Sequence, residues 1–167
     1  MNRIIDTSRN HDLATIDLTE IEIRKPSPND FVGGYYYFPK LWPPDIIRNG
    51  TIVSFVGFPG VLREPIRTGS LSFTTFGIAC VKVESVSEYK FMIQFEREYW
   101  VRKFGDALED SLRKLGGLSG SPVFTERKSA GGIHYFELVG VVCEFSESFD
   151  LMYAGNLNCI KNDGSFM

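Results

Sequence analysis

Short runs rich in Val, Ile, Phe and Thr recur along this chain, with Gly and Pro between them. Polar and apolar residues alternate in the run Val81-Lys82-Val83-Glu84, which is the period-two pattern of a half-buried strand. One segment, Ala107–Leu115, has leucines spaced for only a turn or two of helix. The pattern therefore predicts an all-β protein with strands at Leu13–Leu18, Thr51–Gly57, Gly77–Val83, Phe91–Glu96, Ser121–Thr125, Tyr135–Cys143 and Asn158–Ile160.

Two proline-rich segments, Lys25-Pro-Ser-Pro-Asn-Asp and Lys40-Leu-Trp-Pro-Pro-Asp, are predicted to be connections. Proline has no backbone N–H and is a poor member of a strand ladder. A boundary is therefore expected near residues 40–48. The part of the chain after this boundary has the regular strand spacing of one closed β unit.

Composition narrows the class of protein. The 167 residues carry a net charge of −3, with 43% apolar and 23% charged residues, as expected for one globular domain. Scattered Lys and Arg give no basic surface for nucleic acid or anionic lipid. No run reaches the about 20 apolar residues of a membrane helix, and the polar start has no signal-peptide core. The chain is therefore expected to be cytoplasmic.

The three cysteines, Cys80, Cys143 and Cys159, are expected to be free thiols, because an odd and sparse set fits a reducing compartment. Each is predicted to be a small buried hydrophobe inside a strand. The sequence has no Cys-x-x-Cys motif and no Cys/His cluster, so no metal site and no cofactor is expected.

The segment Leu115-Gly-Gly-Leu-Ser-Gly-Ser-Pro-Val-Phe is the most informative in the chain. A serine flanked by glycines can occupy a tight loop whose backbone N–H groups point inward and stabilise an oxyanion. The α/β-hydrolase elbow requires Gly-x-Ser-x-Gly before a helix, whereas Pro122 and a strand pattern follow here. A plain glycine-rich turn before a strand remains the alternative.

Four segments together resemble the trypsin-like serine peptidases of the chymotrypsin fold. The first, Gly117-Leu-Ser-Gly-Ser-Pro, is similar to their nucleophile loop, and His11-Asp-Leu-Ala-Thr-Ile-Asp-Leu is similar to the segment that supplies the triad aspartate. Gly50-Thr-Ile-Val-Ser-Phe-Val-Gly-Phe-Pro-Gly resembles an early strand of their second barrel. Leu138-Val-Gly-Val-Val-Cys-Glu-Phe resembles the strand that lines their substrate cleft. The resemblance covers most of the chain from about residue 10.

The resemblance implies a complete second barrel of six antiparallel strands in residues 45–167, and a truncated first barrel with the linker in residues 1–44. Ser119 would be the nucleophile and Asp12 the carboxylate that orients the base. The N–H groups of Gly117 and Ser119 would form the oxyanion hole. The substrate cleft would include the strand end at Cys143, Glu144 and Phe145, where Glu144 would favour a basic side chain or Phe145 would exclude a bulky one. The substrate would be a peptide or protein.

A catalytic histidine is missing from this arrangement. A serine hydroxyl needs a base, and the family has its histidine tens of residues before the aspartate. Only His11 and His134 are present. His11 adjoins Asp12 and would point to the other face of an extended chain, and His134 is expected at a hairpin tip. Both are therefore predicted to be surface or turn residues. Lys114 would need burial to act as the base, and it lies in a polar stretch.

Three hypotheses follow. The chain is a trypsin-like serine endopeptidase or a truncated fragment of one, inactive by itself; or a non-catalytic module that binds peptide or protein; or a plain β-barrel. Exposed strand edges in residues 1–40 predict self-association or a complementing N-terminal segment. If the start is misplaced, the coding DNA upstream of Met1 should continue in frame for roughly 50–80 codons, the size of a barrel, and encode the histidine.

Overall fold

The computed structural model describes residues 3–18, 41–60, 63–67, 70–73, 76–94, 101–102, 117–146 and 148–167. Within these ranges the chain forms β-strands and a short 3-10 helix at Leu157–Cys159. The strands are β1 Ile4–Ser8, β2 Leu13–Ile16, β3 Ile52–Gly57, β4 Arg63–Arg67, β5 Ser70–Phe73, β6 Phe76–Val86, β7 Lys90–Gln94, β8 Val101–Arg102, β9 Pro122–Lys128, β10 His134–Ser146 and β11 Leu151–Asn156.

Six antiparallel strands close into a barrel in the order β3, β9, β10, β11, β7, β6, with β6 pairing back onto β3. The long strand β6 makes this closure possible. Its first part pairs with β3, and its last residues pair with β7. The predictions of an all-β protein and of a six-stranded antiparallel barrel are therefore confirmed.

The barrel core follows from side-chain alternation. In β3 the side chains of Val53 and Phe55 are buried, and Gly57 is buried too, while the residues between them are exposed or half-buried. Phe91 lies so close to β10 that a Cβ added at Gly140 would be 2.6 Å from its ring. Among the described residues, the largest fully buried side chains are Phe55, Phe91, Ile93, Leu118, Met152, Val53, Val83, Val123 and Val139.

A bulge bends β6 at Cys80, which has a φ of 60°. The register with β3 shifts here, and the Cys80 N–H donates a hydrogen bond to the Ser54 hydroxyl at 3.1 Å. The bulge turns the Cys80 side chain outward, so the prediction that it is buried is wrong. Cys143 is half-buried and Cys159 is buried, and all three thiols are free.

The N-terminal residues form a separate two-stranded sheet, in which β1 pairs with β2 from Ser8↔Leu13 to Ile4↔Ile16. This hairpin contacts the end of the chain. The Thr15 hydroxyl donates to the Gly164 carbonyl at 2.7 Å, and the Phe166 N–H donates to the Asp6 carboxylate at 2.9 Å. Nothing in the described residues adds a third strand to it. Its interpretation as the remainder of a first barrel stays a prediction.

The last part of the chain differs from the sequence expectation. The sequence predicts a strand at Asn158–Ile160, but Leu157–Cys159 form a 3-10 turn in which the Cys159 thiol donates to the Asn156 carbonyl at 2.7 Å. The strand lies earlier, at Leu151–Asn156. The predicted helix at Ala107–Leu115 and the proline-rich segment that begins at Lys25 lie outside the described residues.

Candidate functional site around Ser119

The loop at residues 117–121 leads directly into β9. Gly117 and Gly120 have φ angles of 100° and 91°, in the left-handed region that favours glycine. A Cβ added at Gly117 would also lie 2.6 Å from the backbone nitrogen of Gly60. The shape of the loop and its contact with the Gly60 turn therefore depend on glycine.

The loop is fastened to strands on both sides. The Gly120 N–H donates to the Val142 carbonyl at 2.8 Å, and the Val142 N–H donates to the Ser121 carbonyl at 2.9 Å. Ser121, the last residue of the loop, is buried against Gly57 of β3. A Cβ added at Gly57 would be only 1.9 Å from the Ser121 hydroxyl oxygen. Close packing therefore fixes the loop between β3 and β10.

Ser119 is exposed, and Gly117 and Gly120 of the same loop are exposed as well. Its hydroxyl donates a long hydrogen bond of 3.4 Å to the Cys143 carbonyl, which is a weak interaction at that distance. Within the described part of the chain, the N–H groups of Gly117 and Ser119 have no hydrogen-bond acceptor. An exposed hydroxyl thus adjoins two backbone donors that are available to a ligand.

Cys143 of β10 lies beside Ser119. It is the extra residue of a bulge in β10, and its thiol donates to the Tyr153 carbonyl at 3.4 Å. Burial raises the pKa of the Cys143 thiol, and the negative charges of Asp12 and Glu144 raise it further, while the positive charge of Lys90 lowers it. The turn that bears Asp12 lies against Gly155 of β11, which pairs with Val141 of β10.

Asp12 ends the turn between β1 and β2, with a φ of 55°. Its N–H donates to the Arg9 carbonyl at 3.3 Å. The side chain is exposed, and no described residue forms a hydrogen bond with its carboxylate. An orienting carboxylate is expected to be buried, so the surroundings of Asp12 differ from that expectation. The gap between Asp12 and Ser119, expected to fit one imidazole ring, stays a prediction.

His11 is unsuited to act as the base. It lies in a turn, as predicted, and it is buried there, with only 3% of its surface exposed. Its Nδ1 is 2.6 Å from the Ser8 hydroxyl, and its ring contacts Tyr89 edge-on and stacks on Phe166. These contacts hold the imidazole inside the interface between the hairpin and the barrel.

His134 is equally unsuited. It is the first residue of β10, exposed, and paired with Glu126 at 2.5 Å. It lies opposite Lys128, at the far end of the β9–β10 pair from Pro122 and the serine loop. Lys114, the remaining alternative from the sequence, lies outside the described residues. Neither histidine of the chain is therefore in place to deprotonate Ser119.

At the end of β10, which was expected to line the substrate cleft, Phe145 and Glu144 lie in different surroundings. Phe145 packs against the barrel core, whereas Glu144 is exposed and its carboxylate is 3.7 Å from the Lys90 ammonium. Glu144 is thus already paired with a cation of β7. Sequence reasoning missed Lys90, because only barrel closure brings β7, β11 and β10 side by side.

No protein-family model, curated protein or solved structure matches this chain. In the described ranges no three His, Cys, Asp or Glu side chains come together as metal ligands. A search of the same ranges finds no helix with the length and apolar character needed to cross a membrane.

Proposed function

We propose that this chain is the Ser119- and Asp12-bearing part of a trypsin-like serine endopeptidase, and that it hydrolyses peptide bonds only with an imidazole base from outside the chain. One observation carries the proposal: Ser119 hydrogen-bonds to the Cys143 carbonyl of β10, and the turn that bears Asp12 lies against Gly155, which pairs with Val141 of the same strand. The backbone donors of Gly117 and Ser119 that are available support the same assignment.

In the proposed reaction, an external imidazole removes the proton of the Ser119 hydroxyl as its oxygen attacks the peptide carbonyl carbon. The negative charge that develops on the carbonyl oxygen is stabilised by the Gly117 and Ser119 N–H groups. The imidazolium then protonates the leaving amine, and water hydrolyses the acyl-serine. Asp12 orients the imidazole. Without the base, only about 10³–10⁴-fold catalysis over water is expected.

Binding of peptides without catalysis is the second candidate, and one feature of β10 favours it. The strand continues to Ser146, although its last pair with β9 is Val141↔Pro122. Along residues 143–146 the side facing away from β11 has no strand partner among the described residues. An extended peptide can add to such an edge through main-chain hydrogen bonds.

A fluorophosphonate probe tests the proposal, because it reacts only with an activated serine. The intact chain should react slowly alone and markedly faster when free imidazole is added. Ser119→Ala should abolish the reaction, and Ser129→Ala, a change in a turn away from the loop, should not alter it. Mass spectrometry of the labelled peptide identifies the modified residue.

Each outcome distinguishes the two candidates. No labelling with or without imidazole would refute the peptidase assignment, and retained peptide binding by Ser119→Ala would then support the binding module. Rapid labelling without imidazole would show that the chain supplies its own base. A longer chain with an upstream histidine, if the reading frame encodes one, should label without added imidazole.

A further inference from the structure

The β1–β2 hairpin contacts the barrel around one buried side chain, that of His11. Besides the two hydrogen bonds to residues 164 and 166, the hairpin meets β11 at Gly155, where an added Cβ would be 2.7 Å from the His11 carbonyl oxygen. Leu13 lies over the same glycine. No strand pairing joins the hairpin to the barrel in the described ranges. Leu13 also packs against the buried cluster of Leu157, Cys159 and Ile160, so the interface comprises the turn at His11 and this cluster.

The His11 ring is enclosed on several sides. Ser8 of its own hairpin lies at Nδ1, Tyr89 of the β6–β7 turn lies edge-on at 5.1 Å, and Phe166 of the C-terminal segment stacks at 5.3 Å. Its Nε2 is buried and has no hydrogen-bond partner among the described residues. A protonated imidazole has a donor on both nitrogens, so protonation would place a positive charge in this interface on a ring whose Nε2 has no acceptor among the described residues.

The neighbouring charges do not compensate for this burial. Burial is the largest cause of the lowered pKa of His11, while Glu88 favours the charged ring and Lys90 disfavours it. Tyr89 is neutral, because the neighbouring Glu88 raises its pKa. Phe166 and Gly155 contribute no charge. Burying a charged group without a partner is costly, so the docked hairpin favours neutral His11.

We propose that the β1–β2 hairpin is an acid-released segment of this protein, in which protonation of His11 detaches the hairpin, and Asp12 with it, from the barrel. The proposal is independent of the peptidase assignment, because its readouts involve no catalysis. Its basis is the enclosed His11 ring at the interface between hairpin and barrel, whose buried Nε2 has no hydrogen-bond partner among the described residues.

The pH range follows from linkage. The pKa of His11 is lower in the docked state than the ordinary value of about 6.5, so the released state binds more protons. The stabilisation of the docked hairpin by neutral His11 is fully present above about pH 6.5 and decreases as the pH falls below that value. Between the two pKa values the docking constant falls by up to about tenfold per pH unit. The pKa of Asp6 is lowered by the Phe166 N–H and then the Thr7 N–H, so Asp6 affects docking only at more acidic pH, below its ordinary value.

Hydrogen exchange of the intact chain at about pH 7.5 and about pH 5 tests the proposal. After correction for the intrinsic rate, amides of residues 4–16 should lose protection at the lower pH, while those of β9, β10 and β11 keep theirs. His11→Phe retains a ring of similar size that cannot be protonated, and it should remove the pH response. His134→Phe changes the exposed histidine and should leave the response unchanged.

A second measurement does not depend on any variant. Because the chain has only two histidines, side-chain NMR of the unaltered protein resolves the His11 ring, which should titrate below the ordinary histidine pKa of about 6.5. A His11 pKa at or above the ordinary value would overturn the proposal. So would an acid-induced loss of protection that persists in His11→Phe, or hairpin amides that stay protected at the lower pH.

Discussion

The barrel and the N-terminal hairpin bury their apolar residues to very different extents. In the barrel, Phe91 and Ile93 are 1% and 0% exposed, whereas in the hairpin Ile4 and Ile16 are 51% and 55% exposed. Every strand of the closed ring has two neighbours, while each hairpin strand has only one in the described ranges. The barrel is therefore held by its own core, and the hairpin depends on a few contacts with the barrel.

This difference separates the two parts of the candidate site. Ser119 lies in a loop fastened between β3 and β10, so its position follows from the barrel. Asp12 lies in the hairpin turn next to His11, so its position follows from docking. The turn has its own hydrogen bond from the Asp12 N–H to the Arg9 carbonyl, so its shape is local while its placement is not. The serine half of the site is thus expected to be more stable than the aspartate half.

The largest expected effect comes from the barrel core. Phe91→Ala should lower the free energy of unfolding by about 3–5 kcal/mol, because it removes a fully buried ring and leaves a cavity. Ile16→Ala, a matched truncation in the hairpin, should change it by about 0.5 kcal/mol or less. Denaturant unfolding measures both. Equal effects would show that the hairpin and the barrel share one core.

A smaller effect is expected where the serine loop packs on β3. Gly57→Ala should lower the free energy of unfolding by about 1–3 kcal/mol, because the new Cβ overlaps the Ser121 hydroxyl. Adding Ser121→Ala should recover part of this loss, since the two sites share one contact. Thermal or denaturant unfolding of the two single variants and the double variant gives the coupling. Strict additivity would contradict the packing described for the loop.

The smallest effect is expected in the hairpin. Thr15→Val removes the 2.7 Å hydrogen bond to the Gly164 carbonyl and should weaken docking by about 1 kcal/mol. Hydrogen exchange of residues 4–16 should then be about fivefold faster, with no change in the barrel strands. Thr7→Val, at an exposed position of the same hairpin, serves as the control. Faster exchange throughout the barrel would show that docking and barrel stability are coupled.

The sequence was sufficient to predict strands that are buried on one face. Alternation in Val81-Lys82-Val83-Glu84 of β6 is visible because the two valines are buried while Lys82 and Glu84 are exposed. Leu151–Asn156 was missed because the end of β11 is covered on both sides: Ala154 points into the core, and the hairpin lies over Gly155. A segment buried on both faces has no period-two signal.

The sequence could predict only those parts of the candidate site that depend on residues adjacent in the sequence. The glycines around Ser119 indicated an exposed serine in a tight loop, and the structure has one. The exposure of Asp12, the burial of His11 and the pairing of Lys90 with Glu144 all depend on segments distant in sequence. Local patterns carry no information about such contacts.

The closure of the barrel by β3 also has a consequence for the order of folding. β9, β10 and β11 follow one another along the chain through short connections, so they can pair early. The pairing of Val53 with Thr125 must close a much longer loop before any hydrogen bond forms, and contacts of this kind slow folding. The three-stranded meander is therefore expected to be the folding nucleus, with the ring closing at β3 in the last step.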